Sequence, residues 1–141
     1  MIVLDTNVVS ELMRAEPDAQ VVRWLDAQQP DLLWLTSINV AELLFGLARL
    51  PDGARKRALT QAIAAMLEQD FAGRILSFDV EAATVFTCLA AERESIGQPA
   101  SQADAQTASI CMAHKAQLAT RNTRHFEGWG LVLMNPWLPV A

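Results

Sequence analysis

Three carboxylates stand where a folded chain could gather reactive groups. Asp5 ends the apolar run Ile2-Val3-Leu4, Glu42 lies inside the apolar stretch Ile38 to Leu50, and Asp104 follows Ser101-Gln102-Ala103. Each position is the end of a strand or the opening of a helix, and a parallel sheet could bring such positions together. Three ionised carboxylates within a few ångströms repel, by roughly 4 kcal/mol per pair at 4 Å if the effective dielectric is about 20. Protons or a divalent cation must offset that repulsion. An all-oxygen donor set favours Mg2+ or Mn2+ over zinc. A fourth polar cluster, Thr120 to Phe126, supplies Asn122, which could hold a metal-bound water or orient Asp5 without adding charge. Arg121, Arg124 and His125 of the same cluster could meet phosphates.

Each acid also has a purely local reading. Asp5 is placed to cap a helix beginning at Thr6 or Asn7. Asn39 and Glu42 have the spacing of a capping box, and so do Ser101 and Asp104. A cap and a metal compete for the same oxygens, although one carboxylate has two.

The elements that must position these groups alternate. Residues 2–4 read as a central parallel strand, apolar on both faces. A helix follows from Thr6 to about Met13, and another opens after Asp18 as cap. Residues 32–35 form a second strand, and a helix runs from about Ile38 to Leu50. That helix is apolar nearly all round and is expected to be mostly buried. Pro51-Asp52-Gly53 stops it. Further helices span about Ala54 to Gln69, Val80 to Ser95 and Ser101 to Lys115. Short strands fall at 75–77, 118–119 and 131–133. The fold class is α/β, a three-layer sandwich around a mostly parallel sheet. Sites in such folds form beyond the carboxyl ends of the strands.

The totals set limits. A chain of 141 residues, 52% apolar and 19% charged, is expected to form one domain, 1–141, with a sizeable core. A net charge of −5 counts against bulk attraction to nucleic acid or an anionic membrane. A nucleic-acid enzyme would need a local basic rim, and Arg49, Arg55, Lys56 and Arg57 cluster around one turn, while Arg14, Arg121 and Arg124 sit near strand-end loops. Cys88 and Cys111 lie in apolar helices and are expected to be reduced, buried thiols. Two histidines in all argue against a histidine-built zinc cage. The first apolar run is broken by Asp5 and lacks a basic leader, and no run has transmembrane length, so a cytoplasmic protein is expected. Trp24, Trp34, Trp129 and Trp137 are read as core more readily than as groove lining. No Gly-x-Ser-x-Gly motif, nucleophilic Asp-x-Asp or P-loop supports a hydrolase of another kind.

Five segments in order, VLDTNVVSEL (3–12), SINVAELLFGLARL (37–50), ASQADAQTASI (100–110), LATRNTRHFEGWGL (118–131) and MNPW (134–137), resemble PIN-domain proteins. The resemblance covers nearly the whole chain and is to VapC-type toxins of type II toxin–antitoxin pairs, in the FitB-like branch. It implies a five-stranded parallel sheet and a two-helix clip at about 52–70 that helps form a homodimer. It implies a metal-dependent endoribonuclease whose acids fall on Asp5, Glu42 and Asp104, with Asn122 as the fourth position. Mg2+, or Mn2+ in its place, would be held by Asp5 and Asp104, with Glu42 directly or through water. Thr6, Asn7 and Thr120 would support the site, and Arg14, Arg121 and Arg124 would face substrate. Metal-activated water would cleave the RNA phosphodiester, leaving a 5'-phosphate and a 3'-hydroxyl. A VapB-like antitoxin would wrap the toxin and push an arginine into the acidic site. Higher toxin–antitoxin assemblies are a further expectation. Several relatives carry an acid where this chain has His125. The competing readings are a non-catalytic binding module of the same fold, its acids serving only as caps, and a DNA-directed nuclease, for which the chain is short.

Overall fold

The computed structural model describes residues 1–139. Five strands form one parallel sheet: β1 (Ile2–Leu4), β2 (Leu33–Thr36), β3 (Ile75–Leu76), β4 (Gln117–Ala119) and β5 (Leu133–Met134). Six α-helices connect or flank them: α1 (Thr6–Leu12), α2 (Ala19–Asp26), α3 (Ser37–Ala48), α4 (Ala54–Ala65), α5 (Val80–Ser95) and α6 (Gln102–His114). The spatial order is β3-β2-β1-β4-β5. The chain first builds outward from β1 through β2 to β3, then returns to the other side of β1 with β4 and β5. The direction of winding therefore reverses between β1 and β4. That reversal opens a crevice at the strands' carboxyl ends, the usual ligand position in an open α/β sheet.

Alternation along the strands divides the core. Ile2 and Leu4 join Val8, Val9, Val21, Trp24, Leu35, Leu43 and Ile63 on the face covered by α1 to α4. Val3 points the other way, into a second cluster with Leu76, Leu89, Ala108, Ile110 and Leu118 beneath α5 and α6. The result is the expected three-layer sandwich. Each fully buried Val or Leu here contributes about 1.5–3 kcal/mol relative to exposure. Small residues let α6 lie close to its neighbours: Ala105, Ala108, Ser109 and Cys111 are all buried.

Local chemistry sets the helix boundaries. Asp18 caps α2 by accepting from the N–H of Gln20 and Val21, and Asp79 caps α5 by accepting from Ala82 N–H. Ser101 Oγ accepts from Asp104 N–H, so Ser101 is the cap of α6. At its other end α6 stops at Lys115, in the left-handed region at φ 53°. A π-type turn, Met66–Asp70, continues α4.

Four expectations are corrected. The last strand lies at Leu133–Met134 rather than 131–133, because β5 pairs Leu118 with Leu133, after a loop turned by Gly128 and Gly130 at φ 79° and 82°. The capping box of α3 is Thr36 with Asn39, not Asn39 with Glu42. Asn39 has the right spacing but sits one turn later than a cap. Helix α3 is not mostly buried: Ala41, Glu42, Leu44 and Phe45 are exposed, and Leu43 is its one buried leucine. Cys88 is exposed, on the outer side of α5, whereas Cys111 is buried as expected. Both thiols are free. Burial, with Asp5 nearby, pushes the Cys111 thiol up to about 12, so it stays protonated. Trp24 and Trp129 are buried and Trp34 and Trp137 partly so, in keeping with core roles.

Candidate active site

The site grows from the end of β1. The ladder to β4 extends one step past β1, with Asp5 N–H donating to the carbonyl of Ala119, the last residue of β4, at 2.9 Å. This fixes Asp5 beside Thr120. The chain then turns at once into α1, and Asp5 Oδ1 accepts from Thr6 N–H at 2.9 Å. The capping role is therefore real. It uses one oxygen, and the other, Oδ2, accepts from Thr120 Oγ1 at 2.8 Å and from Asn7 Nδ2 at 3.4 Å.

Every donor to Asp5 is neutral. Asn39 adds another: its Nδ2 reaches Asp5 Oδ1 at 3.4 Å and Thr6 Oγ1 at 3.3 Å. Asn39 is fully buried, and its Oδ1 accepts from both the N–H and the hydroxyl of Thr36. One amide thus closes the start of α3 and grips the acid on β1. Sequence reasoning missed this second role. The signal was an amide three residues after a threonine at a strand end, with an acid on a neighbouring strand.

Glu42 joins through Thr6, whose Oγ1 donates to Glu42 Oε1 at 2.8 Å. Thr6 is therefore the bridge between α1 and α3. Asn7 is a second bridge: its Nδ2 donates to Thr120 Oγ1 and its Oδ1 accepts from Arg121 N–H. Asn122 N–H donates to Thr120 Oγ1 at 3.1 Å, but the Asn122 side chain is exposed and makes no hydrogen bond among the described residues. Asp104 approaches from α6. Its Oδ2 lies 3.3 Å from His125 Nδ1, on the short helical turn Thr123–Phe126.

The electrostatics record the crowding. Burial chiefly raises the Asp5 carboxyl above its ordinary range; Thr120 and Thr6 pull it down, Asp104 pushes it up and His125 lowers it. Glu42 is also raised, first by desolvation, against its hydrogen bond from Thr6, with Asp5 and Asp104 adding repulsion. The three acids thus sense one another across the crevice.

The arginines divide. Arg14 Nη1 donates to both oxygens of Glu11, at 3.1 and 3.0 Å, and its guanidinium lines the same shallow hollow as Glu42 and Arg55. Arg121 stacks over Trp137, 5.0 Å from the ring centre, and Arg124 is exposed. Around the 51–53 turn, Lys56 pairs with Asp52, and Arg49 at the end of α3 covers Phe45.

The fold, the switch point and the acid cluster call for comparison with known proteins. A PIN domain profile matches residues 2–128. The chain belongs to the PIN-domain family. It is 44% identical over 139 residues to the VapC ribonuclease Y4jK of Sinorhizobium fredii, with 99% of each chain covered. It is 36% identical to the toxin FitB of Neisseria gonorrhoeae, covering 97% of this chain and 99% of FitB. The solved structure of FitAB bound to the IR36 DNA fragment superposes with a TM-score of 0.94 at 35% identity, over 100% of this chain and 99% of that one. The five-stranded parallel architecture expected of a PIN domain is the one described above.

Proposed function

We propose that this PIN-domain protein is a metal-dependent endoribonuclease toxin, held silent by a cognate VapB-like antitoxin. The observation that carries the reading is the state of Asp5. It is a buried carboxylate at the sheet's switch point, with only neutral hydrogen-bond donors, facing two further acids. Such an arrangement is costly until a cation arrives.

The residues fit a divalent cation in donor chemistry. Asp5, Asp104 and Glu42 offer oxygens alone, suited to Mg2+ or Mn2+. Among the described residues no three acidic, imidazole or thiol groups are already drawn together as a metal cage. Asp104 and Glu42 are partly or well exposed and have room to turn inward, whereas Asp5 is fixed. A bound ion of this kind supplies an activated water and screens the phosphate charge. The chain's own residues do the rest. Thr6, Asn7, Thr120 and Asn39 hold Asp5 in place, Thr6 also donates to Glu42, Asn122 stands at the rim, and Arg14, Arg121 and Arg124 offer charge to the RNA backbone.

Two surfaces support the partners. An apolar cavity of about 520 Å³, lined in part by Leu12, Met13, Leu25 and Phe71, lies beside α1 and α2 and suits an amphipathic antitoxin segment. FitB, a relative, is a toxin, and its solved structure is that of FitAB bound to DNA; the antitoxin assignment here rests on that likeness. Leu44 and Phe45, 45% and 65% exposed on α3, give a homodimer an apolar face to bury. Among the described residues no helix is long and apolar enough to cross a membrane; the likeness to VapC and FitB toxins is what supports a cytoplasmic protein.

The test is cleavage of a structured RNA mixture by purified, antitoxin-free protein, with Mg2+ or Mn2+ and with EDTA, beside Asp104→Asn. The expected result is metal-dependent cutting lost in the variant. A folded protein that neither cuts RNA nor binds either ion would overturn the reading and leave Asp5 as the cap of α1.

A further inference from the structure

We propose that His125 is a nitrogen donor to the divalent ion of the acidic site and biases that site toward Mn2+ over Mg2+. The inference rests on the metal-dependent reading above and concerns a residue that reading leaves without a role.

The placement of His125 is built rather than incidental. The turn that carries it is anchored by Phe126, which is 1% exposed and packs edge-on against Trp129 at 5.1 Å between ring centres. His125 N–H donates to the Asn122 carbonyl at 3.0 Å, which closes the turn directly after β4. The imidazole is consequently delivered to the carboxyl end of the strand beside β1, next to Asp104. Its Nδ1 stands 3.3 Å from Asp104 Oδ2. Two ligand atoms in adjacent positions around an octahedral ion, with bonds of about 2.1–2.2 Å, lie roughly 3 Å apart. The observed edge has nearly that length, so one ion could take both atoms with small side-chain rotations. The His125 side chain is 58% exposed and that of Asp104 30%, which leaves room for those rotations.

The chemistry gives the direction of the bias. Mg2+ prefers oxygen and retains its waters, whereas Mn2+ accepts imidazole nitrogen more readily and binds mixed sites more tightly. The ring binds as neutral imidazole. A phosphate contact or a simple pair with Asp104 would produce no difference between the two ions.

The experiment uses the full chain at pH 8, wild type beside His125→Ala, with Asp104→Asn as the control and thermal melts to establish folding. Mn2+ binding is followed by electron paramagnetic resonance of the free ion, Mg2+ binding by competition, and the bound Mn2+ is examined for nitrogen hyperfine coupling. We expect nitrogen coupling in the wild type that is absent from His125→Ala. We expect Mn2+ affinity to fall about tenfold or more in that variant and Mg2+ affinity much less. Coupling absent from wild type with Mn2+ bound overturns the proposal, as does an equal loss for both ions, which marks His125 as a partner of Asp104 alone. Failure of the wild type to bind either ion overturns it as well, and that outcome is distinct because it also removes the metal-dependent reading.

Discussion

Asp5 and Glu11 lie at the two ends of α1, and both are carboxylates almost fully removed from water, at 8% and 6% exposure. Glu11 has a cation. Arg14 donates to both its oxygens, and the N–H of Asp18 donates to Oε2 at 3.0 Å. Asp5 has one hydroxyl, two amides and one backbone N–H, with Asp104 adding repulsion. The same short segment therefore solves one buried charge and leaves the other open. Glu11 ties the end of α1 to the start of α2, which is a structural task. Asp5 is left without a counter-charge, a state that a proton relieves and that, on the proposed function, a metal ion or a partner's arginine would relieve as well.

The largest test of that contrast is Asp5→Asn. The amide preserves the cap and most of the network but removes the charge. RNA cleavage is expected to fall by two to three orders of magnitude or more, the scale of losing one preorganised charged group. The melting temperature at pH 7 is expected to hold or rise, since a destabilising charge is removed from the interior. A variant that melts well below wild type and still cuts would show that Asp5 is a cap and nothing else.

Asn39→Ala attacks the frame around Asp5 without touching charge. It strips Thr36 N–H of its partner and Asp5 Oδ1 and Thr6 of a donor. A cost of about 1–3 kcal/mol is expected by denaturant unfolding, the range for leaving buried polar groups unpaired. Mn2+ affinity should weaken as well, because Asp5 gains freedom. A stability loss with unchanged metal affinity would confine Asn39 to capping α3.

Glu11→Ala is the mirror experiment. Its partner Arg14 is 66% exposed, so solvent screens much of the pair, and a loss of about 1–2 kcal/mol is expected. That corresponds to a fall of roughly 3–8 °C in Tm. Metal affinity should stay within about twofold of wild type, because Glu11 touches none of the three acids. An effect on metal binding comparable to that of Asn39→Ala would erase the distinction between the two ends of α1.

How far the sequence announced this arrangement depends on which physical signal each part leaves. Ile2-Val3-Leu4 read as a central strand because a parallel strand buried on both faces is a continuous apolar run. Asp18 read as a cap because its side chain bonds within its own turn. Asp5, Glu42 and Asp104 were legible as a spaced set of acids, and their assignment to one site came from the family resemblance and stands as a proposal. Asn39 was misread because Asn-x-x-Glu and Thr-x-x-Asn have the same spacing, and only the third dimension shows which pair closes. The outer face of α3 was misread because an apolar helix implies burial, whereas in the single chain Leu44 and Phe45 stay uncovered. The Arg14–Glu11 pair was missed because a surface arginine gives no hint that its neighbour one turn earlier is buried.

A pH series sharpens the contrast by a smaller effect. The folded state raises the Asp5 carboxyl above its unfolded value, chiefly by burial. The native protein then binds a proton more readily than the unfolded chain, so ionisation of Asp5 costs stability above its raised pKa. That cost disappears as pH falls towards the ordinary carboxylate range. The stability advantage of Asp5→Asn over wild type is thus largest at neutral pH and should shrink on acidification, measured by paired urea melts. An advantage that grew on acidification would mean that the native state lowers this pKa.

Arg14→Ala carries the smallest expected change in stability and decides which task Arg14 serves. Its guanidinium is mostly exposed, so removing it should cost at most about 1 kcal/mol, less than Glu11→Ala. If holding Glu11 is its whole role, the double variant with Glu11→Ala should behave like Glu11→Ala alone, and RNA binding should not change. Arg14 also lines the hollow that contains Glu42, where on the proposed function it would meet a phosphate of the RNA backbone. On that footing an Asp104→Asn protein, expected to bind without cutting, should lose RNA affinity when Arg14→Ala is added. The slope of log affinity against log salt should fall by about 0.7, the value for one phosphate contact on a single strand. An unchanged slope with a lost melting increment would leave Arg14 as the counter-ion of Glu11, and the basic rim of the site would then rest on Arg121 and Arg124.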